Sequence, residues 1–352
     1  MSNVRLSVCI ATLNRAAYIG TTLDSIISQA TDEVEVVVVD GASTDNTGQV
    51  VQTYQQRCPR LRYLRLAAKG GVDQDYCRAV ELAQGEYCWL MTDDDLLMPG
   101  AIHSVLEATR RGCGLIVVNA EVRNADLTQL LASSRLPFSD DRVYRPSAAD
   151  RDRLLAEVGD YLSFIGGVVV QRRLWKARDT APYLGSEFVH VGVIFQSPLP
   201  GDTLVLAKPR LIIRYGNAQW TPRFFEIWMV KWPGLIWSFP GLSDAAKRRV
   251  SHPEPWRRLR ALLLFRARGA YSTTEFRAWI EPRLSSRVRK LAALIIARLP
   301  GCVVNLFASL YARMRRFGPL RIDLANSPYD YRRCLRRLLH DGTQKDGKLE
   351  EP

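Results

Sequence analysis

VEVVVVDGASTD, residues 34–45, sets the reading of the whole chain. Apart from Glu35 the run Val34–Val39 is apolar, and it closes on Asp40 followed by Gly41. A strand with apolar residues at successive positions is buried on both faces, as in a parallel sheet covered by helices on either side. Working outward, Arg5–Ala11, Leu61–Leu66, Tyr87–Met91 and Leu115–Asn119 read as strands of the same kind. Between them, 16–29, 45–57, 73–84 and 99–111 read as helices, so strand and helix alternate and predict an α/β fold with a mostly parallel sheet. Ligands of such sheets gather beyond the carboxyl ends of the strands. The loops of interest are therefore Thr12–Arg15, Asp40–Asp45, Lys69–Asp75 and Thr92–Asp95.

Later segments are less regular. The polar stretch Ser133–Arg153 reads as an excursion or lid, Tyr161–Val170 and Thr203–Tyr215 as further strands, and Glu187–Phe195 as a helix. The expected organisation is an α/β domain over 1–216, divided into two halves, 1–120 and 121–216. An aromatic and then Arg-rich helical extension (217–340) and a disordered tail (341–352) follow.

With 352 residues, 47% of them hydrophobic and 24% charged, the chain can bury a large core, which excludes a disordered tail or a disulfide miniprotein. Its net charge of +13 is uneven. Lys247–His340 holds 22 Lys+Arg against 5 Asp+Glu, a net of +17 that leaves −4 for the remainder. Such asymmetry predicts an anionic partner for the basic end. The seven cysteines lack any Cys-x-x-Cys pair and are expected to be reduced thiols in a cytoplasmic protein. Four histidines give little scope for a His-rich zinc site. The N-terminus enters a strand-like run with no leader pattern. No run approaches the roughly 20 apolar residues of a membrane span; Leu291–Ala312 is interrupted by Arg298, Pro300, Gly301 and Asn305.

Asp93, Asp94 and Asp95 follow an apolar strand directly. Adjacent carboxylates repel unless a cation or donors compensate them, and hard oxygen ligands suit Mg²⁺ or Mn²⁺. An acidic helix start would account for the same cluster. Asp40 lies at the ligand edge, where a carboxylate can accept from a base N–H or a ribose hydroxyl, while Ser43 and Asp45 can cap the next helix. Three segments, SVCIATLNR (7–15), VVVVDGASTDNT (36–47) and GEYCWLMTDDDLLMP (85–99), in this order and spacing, resemble a family 2 glycosyltransferase of the GT-A fold. GGVDQDYC (70–77) and the Trp-rich C-terminal part narrow the resemblance to abequosyltransferase-like enzymes of bacterial surface-polysaccharide assembly.

The resemblance implies a nucleotide-diphospho-sugar donor, with Thr12 and Asn14 lining its pocket and Asp40 at the base. Ser43, Gly71, Asp73 and Asp93 complete the donor-side candidates. It also implies a divalent cation, Mg²⁺ or Mn²⁺, on the aspartate triplet. The family's Asp-x-Asp falls on Thr92-Asp93-Asp94, which favours Asp94; Asp93 with Asp95 is the other pairing. Asp75-Tyr76-Cys77 stands where many members carry Ala-Arg-Asn, so a basic residue is missing there. The family's Glu-Asp at a helix start corresponds to Glu187-Phe188. Glu187 and His190, expected on one face of a helix, are the two candidate bases for an inverting transfer.

Aromatic residues from Trp220 to Phe239 precede the arginines instead of interleaving with them. That separation argues against nucleic acid and for an anionic membrane surface, with the aromatics facing lipid or acceptor sugar. A packed helical subdomain with a solvated basic face is the alternative. A polyprenyl-diphosphate-linked glycan is the expected acceptor, and the expected location is cytoplasmic, peripheral to the inner face of the cell membrane. The competing functions are a sugar nucleotidyltransferase, which calls for a Gly-rich loop that ATLNR lacks, and a non-enzymatic basic scaffold.

Overall fold

The computed structural model describes residues 4–217, 223–315 and 318–336. Trp220, Phe317, His340 and the expected tail 341–352 lie outside the described residues. Strands β1 (Leu6–Thr12), β2 (Val34–Asp40), β3 (Leu61–Arg65) and β4 (Tyr87–Met91) alternate with helices α1 (Ile19–Ile27), α2 (Thr47–Arg57) and α3 (Val72–Leu82). A short strand β5 (Leu96–Leu97), helix α4 (Ala101–Thr109) and strand β6 (Leu115–Asn124) follow. Both β1 and β2 are buried at every position, as continuous apolar runs require. Helix α1 lays Ile19, Leu23 and Ile26 on one buried face, the i, i+4, i+7 spacing of an amphipathic helix.

The chain continues with strands β7 (Leu130–Ala132) and β8 (Arg142–Tyr144), helix α5 (Ala148–Val158), strand β9 (Val168–Gln171), helix α6 (Val189–Phe195) and strand β10 (Thr203–Tyr215). One sheet runs β3-β2-β1-β4-β9-β6-β10-β5, with β7 on β6 and β8 on β10. Strands β3, β2, β1 and β4 are mutually parallel, and β10 is parallel to β6. Strand β9 runs antiparallel between β4 and β6. This is the α/β architecture that the alternation predicts.

Three segments differ from expectation. The stretch read as a lid is built into the sheet through β7 and β8, and α5 is capped by Ser147, whose side chain accepts from Asp150 N–H. Of Tyr161–Val170 only the end is strand, because two 3-10 turns precede Val168. Helix α6 begins at Val189, and Glu187 has φ 73°, so Glu187 and His190 do not share a helix face.

The chain divides into two compact units, one formed by Met1–Tyr215 with Gly234–Pro253 and the other by Gly216–Pro233 with Glu254–Pro352. Within the first, helix α7 (Asp244–Val250) packs beside α5, and Ser243 N–H donates to Asp152 Oδ1 at 2.9 Å. Helices α8 (Leu259–Ala267), α9 (Arg287–Arg298), α10 (Gly301–Met314) and α11 (Gly318–Asn326) belong to the second. Phe225 there stacks on Tyr271 with ring centroids 5.1 Å apart and meets Phe265 edge-on at 5.5 Å. Trp256, Phe276 and Ile280 join this core, and Trp232 is buried as well. The aromatics expected to face lipid or sugar are therefore in good part core residues: large rings bury the most apolar area.

Buried Arg266 holds the helices of the second unit through the Leu299 and Tyr271 carbonyls and the Tyr329 hydroxyl. Asn305 does the same from α10, donating to the Ala267 and Leu324 carbonyls at 3.0 Å each. Cys302 and Cys334 form a disulfide, with Cα atoms 6.4 Å apart, a separation a disulfide can span. The expectation of reduced thiols throughout is corrected for this pair; the other five cysteines are free.

Candidate active site

Side chains and backbone knit the β1 and β2 loops together at the carboxyl edge of the sheet. Asn14 has φ 55°, a left-handed conformation that Asn tolerates better than most residues. Its N–H donates to Ser43 Oγ at 2.8 Å, and its Oδ1 accepts from Thr44 N–H at 2.7 Å. Next along, Arg15 N–H donates to Thr47 Oγ1 at 2.8 Å, and Ala16 N–H to Asp45 Oδ2 at 3.1 Å. Thr12 is buried, and its carbonyl accepts from Gly41 N–H at 2.9 Å. Asp40 is wholly buried; Oδ1 accepts from Ser43 N–H and Oδ2 from the Tyr63 hydroxyl, each at 2.7 Å. Asp40 is thus a builder of this turn, where the sequence offered it as an open acceptor for a base.

The aspartate turn follows β4. Asp93 and Asp94 are 12% and 13% exposed, and one guanidinium serves both. Arg15 Nε lies 3.4 Å from Asp93 Oδ1, and its Nη2 lies 3.2 Å from Asp94 Oδ2. Burial, then repulsion from Asp94, pushes Asp93 above the usual carboxylate range, and Arg15 opposes the rise. Asp95 is buried: Oδ1 accepts from Arg214 N–H at 2.7 Å and Oδ2 from the Thr92 hydroxyl. Its carboxyl is pushed up by burial and by Asp94. Both Asp95 oxygens already hold protein donors in the interior, which weighs against Asp93 with Asp95 as the metal pair and for Asp93 with Asp94.

Two adjacent carboxylates are the hard oxygen donors a divalent cation uses, and a cation bound there would displace Arg15 from them. Among the described residues no three His, Cys, Asp or Glu side chains converge on a metal position. A cation at Asp93 and Asp94 would thus need further oxygen ligands, and Mg²⁺ commonly takes them from substrate phosphates and water. The residues fit a cation held partly by substrate.

Asp73 is committed across the fold. Its Oδ2 accepts from Glu187 N–H at 2.8 Å and its Oδ1 from Val189 N–H at 3.0 Å, so it caps α6 from a segment 116 residues away. The expectation of donor contact or of capping α3 gives way to this role. Burial raises its pKa while these bonds oppose the rise. The caps fix the backbone of Glu187, which is half-buried. His190 is buried, its Nε2 is 2.8 Å from the Leu162 carbonyl, and burial lowers its pKa to about 4. Two features weigh against His190 as the base: the nitrogen beside that carbonyl carries the proton, and the ring is shut in the core.

Gly71, at the start of α3, has φ 112°, which an L side chain rarely adopts. Asp75 packs against Gly41, where an added Cβ would stand 2.8 Å from Asp75 Oδ2. Its Oδ1 is buried without a hydrogen-bond partner, and burial followed by Asp40 raises its pKa to about 6.

Residues 7–164 match the model of glycosyl transferase family 2. The chain carries a family 2 glycosyltransferase domain. This glycosyltransferase is 27% identical over 223 residues to abequosyltransferase RfbV of Salmonella typhimurium, covering 60% of this chain and 67% of that one. It is 31% identical over 109 residues to the GalNAc(5)-diNAcBac-PP-undecaprenol beta-1,3-glucosyltransferase of Campylobacter jejuni, covering 31% of this chain and 35% of that one. The crystal structure of S. aureus TarS 1-349 in complex with UDP-GlcNAc superposes with a TM-score of 0.52 at 17% identity, over 92% of this chain and 91% of that one. The GT-A fold expected from the resemblance is the fold of this glycosyltransferase.

Two arginines at the aspartate turn had no role in the sequence reading. Arg15 stands inside the ATLNR segment, and Arg214 reaches the turn from β10, where its Nε donates to the Asp94 carbonyl at 2.9 Å. Their guanidinium carbons lie 5.5 and 5.2 Å from the centroid of the Tyr18 ring. Arg15 was legible as the only cation in its loop; Arg214 had no local signal.

Proposed function

We propose that this glycosyltransferase moves a sugar from a nucleotide-diphospho-sugar to a hydroxyl of a glycan acceptor in bacterial surface-polysaccharide assembly, working at the cytoplasmic face of the cell membrane. The observation that carries the reading is the family 2 domain whose aspartate turn, ringed by Arg15 and Arg214, sits at the carboxyl edge of the sheet. The name of the Salmonella relative supports a sugar transferase, and the PP-undecaprenol glycan named for the Campylobacter relative supports a lipid-linked, polyprenyl-diphosphate acceptor.

The nucleotide lies against the loop pair built on Thr12, Asn14, Asp40 and Ser43. Asp93 and Asp94 would hold the divalent cation, Mg²⁺ or Mn²⁺, which supplies charge neutralisation for the departing diphosphate. Arg15 and Arg214 offer guanidinium donors suited to phosphate oxygens. Glu187, held by the Asp73 caps, takes the proton of the acceptor hydroxyl. The acceptor oxygen bonds to the anomeric carbon as the bond from that carbon to the diphosphate oxygen breaks. The nucleoside diphosphate leaves with the electron pair, and the configuration inverts.

Glu187→Gln tests the assignment. Donor binding is expected to persist while transfer falls about 10²-fold or more. Unchanged transfer would remove Glu187 as the base, and a Glu187→Asp variant with partial activity would support it.

A further inference from the structure

The second unit presents apolar side chains outward in a pattern that a packed helical subdomain does not need. Single exposed apolar residues are ordinary, but contiguous ones mark a contact surface. Among the described residues, eight of the fifteen large apolar side chains that stand exposed are on α9 and α10. Helix α10 buries Gly301, Asn305 and Ala312 on one side. Val303, Phe307, Leu310 and Met314 occupy the opposite side, within an arc of about 60° at 3.6 residues per turn. Phe307 is 65% exposed and Met314 76%. Helix α9 repeats the arrangement, with Ala293, Ile296 and Ala297 buried and Val288, Leu291 and Ile295 exposed.

The charge around these stripes has one sign. Between Glu281 and Asp323 the sequence holds nine Lys+Arg and no Asp or Glu. Two copies of such a surface would repel, whereas an anionic surface complements it. Nucleic acid would satisfy the cations but leave the apolar stripes in water. Neither helix can cross a bilayer, since they have 12 and 14 residues and meet at a 92° bend. An apolar stripe flanked by Arg and Lys on a short helix is the pattern of an element lying in the membrane interface.

We propose that α9 and α10 form a monotopic docking face for anionic lipid, with Phe307, Met314, Val288 and Ile295 entering the acyl boundary and the surrounding cations meeting headgroup phosphates. This names the surface by which the enzyme of the preceding section meets its membrane, and rests on that reading for its biological setting only. The buried aromatics of the same unit take no part.

Flotation of the full chain with phosphatidylcholine vesicles, with and without 25% phosphatidylglycerol, at physiological salt tests the proposal. Wild type is expected to float at least tenfold more with the anionic vesicles. Phe307→Ser/Met314→Ser and, separately, Val288→Ser/Ile295→Ser are each expected to lose at least tenfold of that binding while keeping the wild-type Tm and vesicle-free hydrolysis of the nucleotide sugar. Equal flotation of wild type and both pairs would overturn the proposal. So would flotation indifferent to lipid charge, or a dimer abolished by the same substitutions in a chain that ignores vesicles, or tighter binding to duplex DNA than to anionic vesicles. Donor hydrolysis without vesicles reports on the transferase reading separately, so either can fail while the other stands.

Discussion

The two units handle charge in opposite ways. The sheet unit draws carboxylates inward, to the ends of its strands, and gives nearly every one a donor: Ser43 and Tyr63 for Asp40, two backbone amides for Asp73, Thr92 and Arg214 for Asp95. The helical unit keeps most of its cations outward and leaves apolar side chains beside them, while Arg266 is buried and bonded through all three guanidinium nitrogens. A buried charge needs compensation to persist, so carboxylates that share one cation, or keep an oxygen without a donor, mark the working part of the sheet unit. Those groups are Asp93 and Asp94, paired by Arg15, and Asp75. Exposed apolar surface is the mirror case, pointing to a partner instead of a substrate.

That contrast breaks first at the aspartate turn. Asp94→Asn is expected to lower nucleotide-sugar turnover by about 10²-fold or more, since transition-state charge stabilisation is removed, with the Tm retained or raised because repulsion from Asp93 and Asp95 falls. A large drop in Tm instead would make Asp94 structural. In Asp73→Ala the caps on α6 disappear, and about 1–3 kcal/mol of stability is expected to go with them. Transfer should fall with little change in donor affinity; an unaltered kcat would separate Glu187 from catalysis.

Asp75 gives a smaller effect with a definite pH sign. Its folded-state pKa of about 6 lies above the ordinary value near 3.9. The folded state therefore holds the proton more tightly, and the associated stability is present below about pH 4 and is lost as pH rises through about 6. Asp75→Asn is expected to stabilise the protein by about 1–3 kcal/mol at pH 7.5 and hardly at pH 4, read from Tm at the two pH values. Equal shifts at both would contradict the burial argument.

His190 has the reverse sign. With its folded pKa lowered to about 4, the neutral ring supports stability above about 6.5, and this is lost as pH falls toward 4. His190→Gln is expected to lessen that acid sensitivity and to leave the pH–rate profile between 6 and 8 unchanged. Loss of a limb near neutrality in the variant would return His190 to the chemistry.

The sheet was legible because β1, β2, β4 and β6 are continuous apolar runs separated by amphipathic helices, and the loops at their carboxyl ends could be named from that alone. The aspartate turn was legible for the same reason. What each carboxylate does there was not. Asp73 finds its donors 114 and 116 residues away, and Asp95 finds Arg214 119 residues away, in pairings that no local pattern encodes. Glu187 and His190 share a helical spacing on paper, but the positive φ at Glu187 precedes the helix. The aromatic run of the second unit has the composition of an interface and the position of a core, because composition alone does not distinguish the two. Its aliphatic stripes on α9 and α10, scattered among arginines in the sequence, gather on one side only when wound at helical pitch.

Thermal shift with UDP-, GDP-, CDP- and dTDP-sugars, with and without Mn²⁺, on wild type and Asp94→Asn reads the donor site directly. A ligand that binds only the folded state must stabilise it. At least one donor is expected to raise the wild-type Tm by about 4 °C or more with Mn²⁺ at roughly a hundredfold Kd, and Asp94→Asn is expected to lose that shift. No shift with any donor at saturation, or the same shift in Asp94→Asn, would contradict a donor site at the aspartate turn.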